Sequence, residues 1–87
     1  MFIVKVKVNL KKSVLDPQGV TIKHAIDSLG YKGIEDVRMG KYFEVKIKKA
    51  KSKSDVDKMM HEICDKLLSN PVIESYHFDI EEIADKE

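Results

Sequence analysis

An α+β fold, an antiparallel sheet carrying two helices on one face, is what this 87-residue sequence predicts. Apolar side chains alternate strictly from Phe2 to Leu10, which is the period of a half-covered strand. Two later stretches space their apolar residues at helical intervals, and each is followed by renewed alternation. The order of these periods reads β-α-β-(β)-α-β over a single domain of residues 1–87.

Each element has its own signal. Phe2, Val4, Val6, Val8 and Leu10 share one face of the first strand, with Lys5, Lys7 and Asn9 opposite. Asp16 is placed to cap a helix, and Pro17 takes its first position, where a missing donor costs nothing. That helix is expected to run from Pro17 to about Leu29, with Ile22, Ala25, Ile26 and Leu29 as its apolar stripe and Gly30 just beyond its end. Gly19 lies inside it, where propensity disfavours glycine by about 1 kcal/mol relative to alanine. A glycine kept at such a place suggests a close approach to its backbone.

Ile34, Val37 and Met39 open a second extended stretch, continued by Phe43, Val45 and Ile47. Gly40-Lys41 between them reads either as a two-residue hairpin turn or as a bulge in one long bent strand. The alternation keeps its phase across the glycine, and both readings stay open. Ser54 is expected to cap a second helix whose stripe is Val56, Met60, Ile63 and Leu67, flanked by Met59, Cys64 and Leu68. Asn70-Pro71 ends it. A last strand starts near Val72 and runs to Ile80 or Ile83, with Glu74 breaking its pattern, and an acidic tail from about Glu81 frays. With the hairpin formed, the order is ferredoxin-like.

Composition excludes several classes. The chain carries 16 basic against 15 acidic side chains, which gives no general attraction to nucleic acid or an anionic membrane. One cysteine, Cys64, rules out an intrachain disulfide and any CxxC site. No leader pattern and no long apolar run are visible, so a cytoplasmic protein is expected.

Catalytic chemistry finds little support. His24, His61 and His77 are spread over three elements without partner spacing, and solvated histidine is the expectation for all three. Cys64, beside an apolar stripe, reads as a packed core thiol. The glycines form neither GxGxxG nor a Walker loop. We therefore expect no catalytic, cofactor-binding or metal-ligating residue in this chain. Lys46, Lys48, Lys49, Lys51 and Lys53 make the densest basic patch, by default a solvated edge.

Four blocks, in order, resemble the PurS family of phosphoribosylformylglycinamidine (FGAM) synthase subunits. They are Val14-Leu15-Asp16-Pro17-Gln18-Gly19, then Ala25 through Tyr31 with its Leu-Gly-Tyr ending. Val37-Arg38-Met39-Gly40-Lys41-Tyr42 and Leu67 through Glu74 follow. Departures are Ser13, where glycine is common, and the lysine-rich connection from Lys48 to Ser54. The resemblance implies a PurS-like variant of the ferredoxin-related architecture and a non-catalytic subunit in de novo purine synthesis. It also implies two partners, a large synthetase subunit that uses ATP and Mg and a glutaminase subunit, which this chain bridges to support ammonia transfer. No cofactor belongs to the chain itself on this reading. A homodimer or homotetramer is implied, with no nucleic acid and no membrane. Asp16, Pro17, Gln18, Gly19, Arg38, Gly40 and Lys41 are the expected subunit contacts. The rival class is a regulatory or nucleic-acid-binding module on the same scaffold. A small acylphosphatase-like enzyme ranks lowest, since no arginine follows the first strand.

Overall fold

The computed structural model describes residues 1–84, in the order β1 (Phe2–Leu10), α1 (Pro17–Ser28), β2 (Gly40–Ile47), α2 (Lys53–Ile63), a π-helical turn (Cys64–Leu68) and β3 (Glu74–Glu82). The three strands form one antiparallel sheet in the order β2-β1-β3. β1 is central because its alternation supplies the apolar row that both neighbours flank. Val6 lies opposite Phe43 on one side and Phe78 on the other, and Val4 opposite Val45 and Ile80. Val4, Val6 and Val8 are fully buried.

α2 covers this row. Val56, Met60 and Cys64 are completely buried against β1, with Phe43, Val45, Ile47, Ile63, Leu68, Tyr76, Phe78 and Ile80 packed around them. Ile63 packs at the edge of this core as helical spacing predicts, but one turn later Leu68 takes the inward place where that spacing predicts Leu67. The π-turn is the cause: its i→i+5 geometry is wider than an α-turn and carries the buried face one residue further along the chain. Ser69 closes it, donating both its N–H and its hydroxyl to the Cys64 carbonyl at 3.0 and 2.9 Å. Leu67 is left 77% exposed. The cap of α2 is Ser52, not Ser54; its hydroxyl accepts the Asp55 N–H at 3.2 Å.

The optional fourth strand does not form. Gly40 is the first residue of β2 and pairs with Asn9, and its φ is not positive, so no hairpin turn sits there. The lead-in, residues 31–39, has no strand pairing, so one continuous long strand is not formed either. β3 begins at Glu74, two residues later than expected, after a turn over residues 71–73. It reaches Glu82, so Glu81 and Glu82 of the expected tail are paired, opposite Ile3 and Phe2. Residues 85–87 of that tail lie outside the described residues.

α1 is built as its sequence suggests. Asp16 caps it, Pro17 occupies its first turn, and Gly30 follows it with φ +92°. Its position is the unexpected feature, because no α1 side chain belongs to the core. Only Gly19 is buried in the helix, while Leu29 is 75% exposed. The chain is correspondingly elongated, with a radius of gyration of 17.0 Å, against about 12 Å for a compact domain of this length. Its apolar stripe is real, but this chain's own sheet does not cover it.

Candidate functional site

The seven residues expected from sequence to contact partners converge at one end of the sheet, where β1 ends, β2 and β3 begin, and α1 starts. Asp16 organises this end. It is almost wholly buried, and its two carboxylate oxygens accept different backbone amides, Oδ1 from Gly19 N–H at 2.9 Å and Oδ2 from Met39 N–H at 2.7 Å. The first bond caps α1, and the second ties the chain entering β2 to that cap. The Met39 and Gly19 amides, with the nearby Arg38 charge, hold the Asp16 carboxyl below the usual carboxylate range despite its burial.

Gly19 is required by this tie. A Cβ there would collide with the carbonyl oxygen of Val37, so only glycine lets the lead-in pass over the first turn of α1. Gly40 is needed for the same kind of reason, since a Cβ would overlap the Asn9 side chain in the adjoining strand. Arg38 reaches back across the β1–α1 loop. Its Nη2 donates to the carbonyls of Lys11 at 3.0 Å and Val14 at 3.1 Å. One guanidinium thereby fixes the loop that presents Asp16, a job suited to its planar, multi-donor head.

Pro17, Gln18 and Lys41 remain exposed. Gln18 and Lys41 line a recess of about 230 Å³ together with Val8, Leu10, Met39 and Glu74. Lys41 Nζ stands 3.4 Å from Glu74 Oε2, across the end of β1. Glu74 also accepts the Asn70 N–H at 2.7 Å, which fixes the turn into β3. Sequence reasoning met Glu74 only as a break in the strand's alternation. A carboxylate on the inward phase of a strand was the available signal, because it needs a local cation or donor.

The recess holds an ion pair, an amide and apolar walls, with no hydroxyl or thiol nucleophile beside a base. It is smaller than the roughly 300–1,000 Å³ typical of small-molecule sites. Such a notch accepts a side chain or loop of another protein more readily than a nucleotide. Among the described residues no cluster of three or more metal-ligating side chains occurs.

Elsewhere, His61 is solvent-exposed as expected, with 55% of its side chain open, but it is not without neighbours. Its Nδ1 lies 2.9 Å from the Tyr76 hydroxyl, its ring meets Phe78 edge-on, and Nε2 is 3.6 Å from Asp57. Burial, then the Asp65 charge, pushes the Tyr76 hydroxyl up. Burial and Asp65 likewise push the Cys64 thiol up, which keeps it protonated and unreactive. No described helix is long and apolar enough to cross a membrane.

Comparison with known proteins agrees with this architecture. Residues 3–82 match the family model PurS, described as phosphoribosylformylglycinamidine (FGAM) synthase. The chain is 51% identical over 84 residues to the FGAM synthase subunit PurS of Bacillus subtilis, covering 97% of this chain and 98% of that protein. It superposes on the B. subtilis PurS crystal structure with a TM-score of 0.85, at 50% identity, over 94% of this chain and 100% of that one. A chain of the PurLQS structure from Thermotoga maritima gives a TM-score of 0.83 at 26% identity, covering 92% and 96%. The chain belongs to the PurS family and is the PurS subunit of FGAM synthase in purine biosynthesis.

Proposed function

We propose that this PurS-family subunit is a non-catalytic coupler, joining an ATP-using synthetase subunit to a glutaminase subunit and helping to keep the path of ammonia between them closed. The observation that carries the reading is the construction of the loop end. Asp16, Gly19, Arg38 and Gly40 are spent on holding the backbone, while Pro17, Gln18 and Lys41 are left outward around a notch without a nucleophile–base pair. The likeness to a chain of the T. maritima PurLQS assembly supports the same reading. Direct partner contact falls to the outward three, with Asp16, Gly19, Arg38 and Gly40 positioning them. ATP and Mg chemistry then belongs to the synthetase subunit, and the complex works in the cytoplasm.

A homodimer or homotetramer fits the exposed stripe of α1. Ile22 and Leu29 are open to solvent along an arm that projects from the core. A second copy would bury them, which is a common way for a small domain to gain apolar contact.

The experiment is reconstitution of FGAM formation with and without this chain. Glutamine-driven activity should need it, whereas activity supplied with free ammonia should depend on it less. Equal glutamine-driven activity in its absence would reject the coupling role. Turnover by the purified chain alone would reject the non-catalytic one.

A further inference from the structure

A column of three ionisable side chains runs along α2 into the π-turn. Asp57, His61 and Asp65 follow one another at four-residue intervals, which sets a histidine between two carboxylates on one helical stripe. The stripe beside it, Val56, Met60 and Cys64, is the one packed on β1. Tyr76 of β3 meets the column from the sheet. Its hydroxyl lies 2.9 Å from His61 Nδ1, and Asp65 approaches the same hydroxyl. At the other side of the ring, Asp57 Oδ2 is 3.6 Å from His61 Nε2. The four groups make one chain in space, Asp65–Tyr76–His61–Asp57, passing from the π-turn to β3 and back to α2.

The surroundings are named quickly. Phe78, the next inward residue of β3, meets the imidazole edge-on with ring centroids 5.0 Å apart. His77 lines the same notch, and its own Nε2 stands 3.5 Å from Asp79. The Cys64 thiol is the remaining titratable group beside Tyr76. Burial and the Asp65 charge keep the Tyr76 hydroxyl protonated.

This chain is one proton short. It has three contacts, and each is satisfied by one proton. The carboxylates at its ends only accept, the tyrosine hydroxyl brings one proton, and a neutral imidazole brings one more. If Tyr76 donates to Asp65, His61 donates from Nδ1 and turns a bare Nε2 lone pair towards Asp57. If Nε2–H serves Asp57 instead, Nδ1 takes the tyrosine proton and Asp65 loses its donor. Only the imidazolium, with a proton on each nitrogen, serves all three contacts at once.

We propose that Asp57, His61, Tyr76 and Asp65 form a proton-operated latch between α2 and β3, fully bonded only when His61 has taken up a proton from solvent. The protonated latch favours the docked, folded chain. Its contribution is therefore present on the acidic side and is lost as pH rises through the range in which imidazole discharges, about pH 5–8. That sign is opposite to the one set by Asp16, whose bonds to backbone amides weaken at low pH. More than half of the His61 and Asp57 side chains is exposed, which keeps the effect small and leaves the proton in exchange with solvent.

The test is a series of thermal melts of the whole chain, wild type against His61→Gln, at one protein concentration from about pH 8 to about pH 5.5. Glutamine keeps a donor and an acceptor but takes up no proton. His24, His77 and Asp79 are common to both proteins and cancel in the difference. We expect the wild-type melting temperature to gain about 2–4 °C on the variant over that interval. The same comparison in a Tyr76→Phe background separates a latch from a local pair on the helix, and there the gain should fall by about half or more. If Tyr76→Phe does not fold, Asp65→Asn is the background read instead, with the same expectation. A difference between wild type and His61→Gln that is flat with pH would overturn the latch. So would a gain left intact in the Tyr76→Phe or Asp65→Asn background, because Asp57 alone would then hold the proton.

Discussion

Asp16 accepts the amide of Met39 at 2.7 Å across 23 positions of sequence. A single side chain thereby caps α1 and sets where β2 begins, because Gly40 pairs with Asn9 immediately afterwards. A residue that reads as an ordinary helix cap is in fact the joint between the projecting arm and the sheet.

Replacing Asp16 with Asn should lower the melting temperature at neutral pH, and Asp16→Ala should lower it further. Asn keeps one good acceptor, whereas Ala orphans both amides. The carboxyl is held below its ordinary range in the folded chain, so its contribution is complete above the unfolded value of about 3.9 and fades as pH falls through the folded one. Melts from neutral pH downwards should show the gap between wild type and Asp16→Asn closing below about pH 4. A gap independent of pH would mean that the carboxylate is not the stabilising species.

Gly19→Ala reverses the usual expectation for a helix. Propensity alone would reward it by about 1 kcal/mol, but the new methyl group meets the Val37 carbonyl oxygen. We expect net destabilisation of about 1–3 kcal/mol, read from urea unfolding midpoints. A stabilised variant would show that the lead-in is free to move off α1.

Core and arm should respond differently to substitution. Met60 is fully buried between α2 and the sheet, so Met60→Ala should cost about 2–5 kcal/mol. Leu29→Asp, on the exposed stripe, should change the stability of the isolated subunit by less than about 0.5 kcal/mol. It should instead lower the assembly mass measured by light scattering. An unchanged mass would remove α1 from the self-association surface.

These contrasts also show what was readable in the sequence. The alternation of β1 and the spacing of Val56 and Met60 identify the core directly, because burial on one face leaves a period in the pattern. α1 has an equally clear stripe, yet a period records only that a face is apolar and is silent on which chain covers it. Val37 and Met39 keep the strand phase of Phe43, Val45 and Ile47 although their segment has no ladder, since the Met39 donor goes to a carboxylate. Two serines two residues apart, Ser52 and Ser54, each precede an aspartate by three positions, so both satisfy the capping pattern. At the site, Asp16 and Pro17 were legible as a cap and Gly19 as a close approach. The dependence of Arg38 on the Lys11 and Val14 carbonyls was not, because contacts spanning 24 to 27 positions have no local signature.

The central strand, hydrogen-bonded along both sides, behaves as a stiff yardstick. Whatever attaches at its two tips is kept at a separation dictated by a residue count, not by flexible linkers. Inserting two residues would preserve which side chains face inward while moving the tips apart by about 6.6 Å. Spacing between tethered proteins could thus be retuned by small, paired changes in strand length, leaving the packed interior chemically untouched.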